Sequence, residues 1–124
     1  MPVTKSGTTR TTEIFNARFT PASAPSLGGD ELAMWTVELA PGEVAPPHQH
    51  DRELLLHLLS GRAEGSVGGT AVSLAAGDTL SVPARAEFTL GATGGAPARA
   101  LACTRAGMVV TMADGTAMTP PWTV

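Results

Sequence analysis

The sequence predicts an all-β domain that closes into a small β-barrel or jelly roll, and three observations support this prediction. The 14 glycines and 10 prolines recur between short apolar runs, a pattern typical of many short strands joined by turns. No run combines the length, caps and apolar stripe of an amphipathic helix. Because so many consecutive strands must curl or split to cover their apolar face, a closed structure is expected.

The composition fits one globular domain and argues against several classes of function. In 124 residues, 43% are hydrophobic and 15% are charged, which favours a single packed core over disorder. The eight Lys and Arg residues are scattered and the net charge is −3, so no nucleic-acid partner is expected. No apolar run is long enough to span a bilayer, so no membrane partner is expected either.

The N-terminal region is predicted to be a flexible arm over residues 1–12, followed by a single domain over residues 13–124. The arm is polar and Thr-rich and lacks the apolar middle of a signal peptide. The single cysteine, Cys103, excludes an internal disulfide and fits a reducing compartment. A cytoplasmic location is therefore expected. Residues 14–19 predict one short first strand, which Pro21 ends.

The following strands are predicted from apolar runs between turn signals. Residues 31–40 alternate, which places Trp35 on the face opposite Met34. Gly68-Gly69 predicts a two-residue hairpin, and Trp122 predicts a packed tail, because an exposed indole leaves a large apolar surface in water. The other predicted strands are residues 54–59, 63–67, 70–74, 79–82, 87–90, 98–104 and 108–112.

All three histidines lie in the stretch from Gly42 to Gly61. His48 and His50 alternate on an extended segment, so their imidazoles are expected to point to the same side. Such a pair provides two ligands for a divalent transition metal such as Zn, Ni, Fe, Mn or Cu, or an acid and a base without metal. The alternative is a pair without chemistry, hydrogen-bonded in a polar patch of the barrel.

This stretch resembles the first motif of the cupin superfamily, which is Gly, five residues, His-x-His, three or four residues, Glu, six residues and Gly. The second cupin motif is Gly, five residues, Pro-x-Gly, two residues, His, three residues and Asn. The resemblance extends from Trp35 to Leu101 and implies a cupin-like small β-barrel, similar to small single-domain bacterial cupins. The matching residues are Gly42, His48, His50 and Gly61 in the first motif, and Gly77 and Pro83 in the second.

The departures from the cupin motifs bear on the metal site. The family's metal-binding Glu falls on Leu54, its second-motif metal-binding His on Phe88, and its second-motif Gly on Arg85. Of the usual three His and one Glu ligands, only His48 and His50 are in register. The resemblance therefore implies a partial site for a divalent transition metal of unknown identity, or no metal.

Glu53 and His57 come directly before and after the segment from Leu54 to Leu56 in the next strand. Glu53 lies one residue before the family's ligand position, and a small bulge would turn it inward as a third ligand or general base. The alternative for Glu53 is a solvated carboxylate. His57 is predicted to face away from the barrel, at a sheet-packing or subunit interface, because the register puts Leu54 and Leu56 inside.

The predicted pocket is less polar than that of a typical metal-binding cupin. Its expected lining is Trp35, Leu54, Leu56 and Phe88, with Arg85 near the mouth. An apolar or aromatic small molecule would suit such a wall, whereas the alternative is a filled core without a cavity. Arg85 is expected either to bind a carboxylate or phosphate of a ligand or to be a surface residue without a ligand contact.

Two functions remain open from the sequence, and whether the protein is an enzyme stays undecided. In the first, His48, His50 and Glu53 are the catalytic residues of an isomerase, a dioxygenase or a biosynthetic tailoring enzyme, as the resemblance implies. In the second, the barrel is a non-catalytic binding or sensor protein without metal. The resemblance also implies a homodimer, and the apolar face bearing Leu55 and Leu59 would need cover.

Overall fold

The computed structural model describes residues 3–124 and places twelve strands in two six-stranded antiparallel sheets. Two 3-10 turns, Pro25–Leu27 and Pro121–Thr123, complete the elements. The strands are β1 Thr12–Ile14, β2 Ala17–Ser23, β3 Leu32–Leu39, β4 His48–His50, β5 Leu54–Ser60, β6 Arg62–Val67, β7 Thr70–Ala75, β8 Thr79–Val82, β9 Phe88–Ala92, β10 Ala98–Arg105, β11 Val110–Met112 and β12 Ala117–Met118.

The strand order is β1-β2-β3-β10-β5-β8 in the first sheet and β12-β11-β4-β9-β6-β7 in the second sheet. This architecture confirms the predicted all-β jelly roll. Over residues 3–124 the structure has no helix that is long and apolar enough to cross a membrane.

Side-chain alternation explains which face of the first sheet packs inward. Trp35 is 2% exposed, whereas its neighbours Met34 and Thr36 are only half-buried. On β5, Leu56 is buried while Leu55 is exposed. Since successive side chains of a strand point to opposite faces, this parity sets the core as expected from the sequence. The buried inward rows are Ala33, Trp35, Val37 and Leu39 on β3, Leu54, Leu56 and Leu58 on β5, and Ala98, Ala100 and Ala102 on β10.

The first strand predicted from the sequence is two strands in the structure. Residues 12–14 and 17–23 form a hairpin that turns at Phe15, whose φ of 52° is left-handed. Strand β2 continues past Pro21 to Ser23. Pro21 lies beyond Phe19, the last residue of β2 that pairs with β1, and the register of β2 against β3 shifts between Pro21 and Ser23. A proline is tolerated at such an edge because no ladder hydrogen bond is lost there.

The N-terminal residues lie along β2. The Thr9 hydroxyl donates to the Pro21 carbonyl at 2.7 Å, and the hydroxyls of Thr11 and Thr20 are 3.2 Å apart. The predicted flexible arm covers residues 1–12, of which residues 1 and 2 lie outside the described part. A domain boundary at residue 13 stays a prediction.

Most other predicted strands occur within two residues of their expected ends. The Gly68-Gly69 hairpin is confirmed, with φ values of 57° and 82° that only glycine adopts readily. Strand β12 was not predicted, because two residues carry no periodicity. The packed tail is confirmed, since Trp122 is 6% exposed and stacks on Phe19 with centroids 3.9 Å apart.

Candidate functional site

A cavity of about 140 Å³ lies between the two sheets and contains the predicted pocket. Four of the five predicted pocket residues line it, namely Trp35, Leu54, Leu56 and Phe88. Residues that also line it are Ile14, Phe15, Asn16, Ala17, Phe19, Val37, Leu39, Ala45, His48, His50, Leu90, Ala102, Met108, Val110, Met112, Met118, Pro120 and Trp122. The wall is therefore mainly apolar, as ligand pockets usually are.

Strand register explains why space is left at this point of the barrel. Ala102 of β10 pairs with Trp35 on one side and with Leu56 on the other. The single methyl of Ala102 therefore separates two large side chains that line the same cavity. Phe15 and Met118 also line the cavity and are 65% and 40% exposed, so they mark where it reaches solvent.

His48 and His50 lie on β4, and both line the cavity, as their spacing predicted. Strand β4 pairs with β11 on one side and with Phe88 of β9 on the other. The two imidazole centroids are 4.9 Å apart, and the ring planes are nearly perpendicular at 83°. Phe88 packs against both rings, with centroid distances of 5.5 Å to His48 and 5.9 Å to His50.

The backbone fixes the proton of His48. Its Nδ1 lies 3.0 Å from the carbonyl oxygen of Pro46. Because a carbonyl oxygen only accepts hydrogen bonds, Nδ1 donates and Nε2 of the neutral ring carries the free lone pair. His48 is half-buried, so this nitrogen is an available base or ligand beside the cavity.

His50 is buried without a hydrogen-bond partner for its Nδ1 atom. Burial lowers the pKa of His50 from 6.5 to about 4; repulsion from His48 adds to the effect, and attraction to Asp51 partly opposes it. At neutral pH His50 is therefore an uncharged imidazole with one N–H donor and one lone pair.

Glu53 does not join the two histidines. Its side chain is exposed and is not part of the cavity wall, because regular pairing of Leu54 with Val82 gives Leu54 the inward position. The bulge that would turn Glu53 inward is therefore not formed. Within residues 3–124, no three or more His, Cys, Asp or Glu side chains are grouped so that they could hold a metal ion.

The remaining donor set fits a metal only in part. Catalytic zinc sites usually have three protein ligands, and this cavity offers two imidazoles. One feature does suit a metal ligand, because metal-binding histidines almost always donate their other ring N–H to a carbonyl or carboxylate, as His48 does to Pro46. Any ion here would depend on His48, His50 and water.

Arg85 lies outside the cavity wall, with its side chain exposed. Its φ of 66° is left-handed, a conformation that favours glycine, and this is the position where the cupin motif has Gly. The backbone N–H of Arg85 donates to the carbonyl of His50 at 2.7 Å and so helps to position β4. This exposed position agrees with the surface alternative for Arg85, and a contact between its side chain and a ligand stays a prediction.

His57 faces away from the cavity, as predicted. Its Nδ1 lies 2.8 Å from the Thr79 hydroxyl on the neighbouring strand, and it does not line the cavity.

Sequence reasoning missed Asn16 and Trp122 as cavity residues. The expectation of a packed tail was a signal for Trp122, but its packing partner was not predictable. Asn16 gave no signal, because it lies within the stretch interpreted as one strand.

Comparison with known proteins gives a family match and similar folds. Residues 35–104 match the family described as cupin domain. A solved structure of the polyketide cyclase RemF from Streptomyces resistomycificus is 16% identical with a TM-score of 0.74, covering 85% of this chain and 79% of that chain. An RmlC-like cupin from Shewanella frigidimarina NCIMB 400 is 15% identical with a TM-score of 0.71, covering 83% and 88%.

A longer protein also shares the fold. The oxalate decarboxylase of Lactobacillus farciminis, solved as a formate complex, is 18% identical with a TM-score of 0.70. The match covers 78% of this chain but only 31% of the decarboxylase chain. No curated protein sequence gives a significant match. At such low identities these structures show a shared fold alone.

Proposed function

The chain belongs to the cupin domain family, and from this premise we propose that it binds a small, mainly apolar molecule in the barrel and transfers a proton on it. The observation that carries the proposal is the composition of the cavity wall. Among the described residues that line it, His48 and His50 are the only ones with an acid–base side chain, and the others are mainly apolar. An isolated imidazole pair in an apolar pocket is suited to acid–base chemistry.

The two rings have different roles in the proposed step. Nε2 of His48 is the base, because its Nδ1–H is held by the Pro46 carbonyl. A C–H bond of the ligand breaks, the proton passes to Nε2, and the electron pair moves to an oxygen atom of the ligand. His50 donates its ring N–H to that oxygen. General bases of this kind contribute roughly 10²- to 10⁴-fold to rate.

The comparisons support a small-molecule site in general terms. Two proteins with this fold are named as a polyketide cyclase and an oxalate decarboxylase, and both names describe enzymes of small molecules. The cavity of this chain, with Leu54 and Phe88 at two of the cupin ligand positions, favours a less polar ligand than oxalate.

A generic carbon acid tests the proposed base. The ring of 5-nitrobenzisoxazole opens when a base removes its C–H proton and the N–O bond breaks to give a coloured phenolate. We expect the wild type to accelerate this reaction and His48→Ala to lose at least about tenfold in kcat/KM. His57→Ala is the matched control, because His57 faces away from the cavity, and it should retain the wild-type rate.

Tryptophan fluorescence separates catalysis from binding in the same samples. Both tryptophans of the chain, Trp35 and Trp122, line the cavity, so an occupying ligand should change the emission. A change in emission with equal rates for wild type and His48→Ala would contradict the proton-transfer proposal and favour a non-catalytic binding or sensor protein.

A weakly bound divalent metal is the second candidate, favoured by the Nδ1–carbonyl hydrogen bond of His48. His48 and His50 would hold the ion, and it would supply polarisation of a ligand oxygen. The predicted third ligand, Glu53, would have to leave its exposed position to contribute. Water at the other positions would keep the affinity low.

The outer face of the first sheet supports a homodimer, which we propose as the solution state. Leu55 and Leu59 are 43% and 42% exposed on this face. Cys103 of β10 is half-buried and pairs with Leu55 of β5. Light scattering is expected to give twice the mass of one chain at micromolar concentrations. Leu55→Lys should shift the mass toward one chain, whereas Val44→Lys, at an exposed position before β4, should not. A wild-type mass of one chain would contradict the dimer.

The composition supports a proposal for the cell compartment and the partners. Half-buried Cys103 is the single cysteine, and the net charge is −3 with scattered basic residues. We propose a cytoplasmic protein whose partner is a small molecule and which binds no nucleic acid or membrane.

A further inference from the structure

Three buried polar atoms without a hydrogen-bond partner belong to residues that line the cavity. They are Oδ1 of Asn16, Nδ1 of His50 and Nε1 of Trp122. The three residues are 4%, 4% and 6% exposed. A buried polar group without a partner destabilises a fold by about 1–3 kcal/mol, so three of them around one cavity need an explanation.

The hydrogen-bonding character of two of these atoms is fixed. The Asn16 side-chain N–H₂ lies 3.3 Å from the carbonyl oxygen of Glu43 and 3.4 Å from that of Leu90, both of which only accept hydrogen bonds. The opposite end of the amide, Oδ1, is therefore an acceptor. The indole Nε1–H of Trp122 is a donor only. Two residues of the cavity wall thus carry one acceptor and one donor without a partner.

These atoms come from three separate segments of the chain. Asn16 lies in the turn between β1 and β2, His50 on β4 of the second sheet, and Trp122 in the C-terminal 3-10 turn. Stacking of Trp122 on Phe19, with centroids 3.9 Å apart, holds the indole in the wall. An apolar ligand would leave all three atoms unpaired, whereas a ligand with suitably placed oxygens would pair those of Asn16 and Trp122.

The cavity volume limits the size of such a ligand. At about 140 Å³ it is close to the volume of engineered apolar cavities of about 150 Å³ that accommodate benzene. One six-membered ring with small substituents therefore matches the enclosed space, and larger substituents would have to extend past Phe15 and Met118.

We propose that the ligand is a ring-sized, mainly apolar molecule with a hydroxyl group that donates to Asn16 and a carbonyl-type oxygen that accepts from Trp122. This inference rests on the proposed function, because it names the chemical class that the same cavity takes. Phenols with a ketone or similar oxygen on the ring belong to this class. The proton on a carbon beside the carbonyl is also of the kind that His48 would remove.

Four probes of similar size and shape test the inference on the intact protein. They are 4-ethyltoluene without oxygen, 4-ethylphenol with the hydroxyl, 4-methylacetophenone with the carbonyl, and 4-hydroxyacetophenone with both. Calorimetry is expected to show 4-hydroxyacetophenone binding at least about tenfold more tightly than 4-ethyltoluene, since each new hydrogen bond contributes a several-fold gain. The two singly substituted probes should fall between them.

Two variants assign the effect to the indole N–H. Trp122→Phe keeps an aromatic ring but removes the donor, so it should abolish the gain from the carbonyl and keep the gain from the hydroxyl. Phe19→Leu changes the same wall without removing a donor, so it should weaken all four probes by a similar factor. If Trp122→Phe does not fold, the four wild-type affinities still decide the proposal.

The outcomes separate this inference from the function on which it rests. If the hydrocarbon binds as tightly as 4-hydroxyacetophenone or more tightly, the inference is wrong and water pairs the three atoms, while a small-molecule site remains. If none of the four probes binds or changes tryptophan emission, both the inference and the binding site itself are overturned.

Discussion

Zinc added to the metal-free protein is expected to bind weakly, and His48→Ala or His50→Ala should weaken that binding at least about tenfold. The reason is the number of ligands. The cavity provides two imidazoles, and Leu54 and Phe88 lie where the cupin motifs have the other two ligands. Chelator should remove the ion without unfolding the protein, because the core does not depend on it.

Calorimetric titration with zinc, nickel, copper and iron checks this expectation. His57→Ala is the matched control, since His57 pairs with Thr79 outside the cavity and should leave the affinity unchanged. Glu53→Gln tests the sequence prediction of a third ligand, which would weaken binding if the carboxylate reached the ion. Equal, poor binding by wild type and His48→Ala would rule out the metal and leave proton transfer or binding alone.

Acidification is expected to destabilise the folded protein through His50. The pKa of this histidine falls from 6.5 to about 4 on folding, chiefly because the ring is buried. Between these two pH values the unfolded chain binds the proton and the folded protein does not, so stability falls as the pH falls. At about 1.4 kcal/mol per pKa unit, the loss is about 3 kcal/mol and is complete below pH 4.

Chemical denaturation at several pH values, with chelator present, measures this loss. Carboxylates also contribute in acid, so the informative quantity is the difference between wild type and His50→Gln, which keeps a polar side chain that does not titrate. His57→Gln should lose stability in acid as the wild type does. The assignment to His50 would be wrong if His50→Gln and wild type lost the same free energy of unfolding.

The apolar part of the candidate site was predictable because strand parity is a local property. Alternation on an extended chain put Leu54 and Leu56 on one face and His57 on the other, and the cupin resemblance implied that the leucine face is the inner one, as the structure shows. The same two-residue period brought His48 and His50 to one side of β4. The register of the cupin motifs also assigned Phe88 to a ligand position near these histidines, and in the structure Phe88 pairs with His48 across the strands.

Glu53 and Arg85 show where local reasoning could not choose between two alternatives. For each residue the sequence left open a place at the ligand or an exposed position, and both side chains are exposed. Glu53 precedes the first paired residue of β5, so parity did not fix its direction, and the pairing of Leu54 with Val82 did. Arg85 adopts a left-handed turn conformation, and its backbone N–H donates to the carbonyl of His50. Counting positions between motif residues could not reveal this conformation.

By itself, the sequence determined an all-β fold with two imidazoles on one side of a strand, because turn spacing and side-chain alternation depend only on neighbouring residues, and the cupin resemblance implied that this side is the inner one. Tertiary structure alone decided that Ala102 leaves a cavity between Trp35 and Leu56. It also decided that Asn16 and Trp122 meet this cavity, since segments far apart in the chain come together only by packing. The lowered pKa of His50 has the same origin, because burial is a property of the assembled sheets.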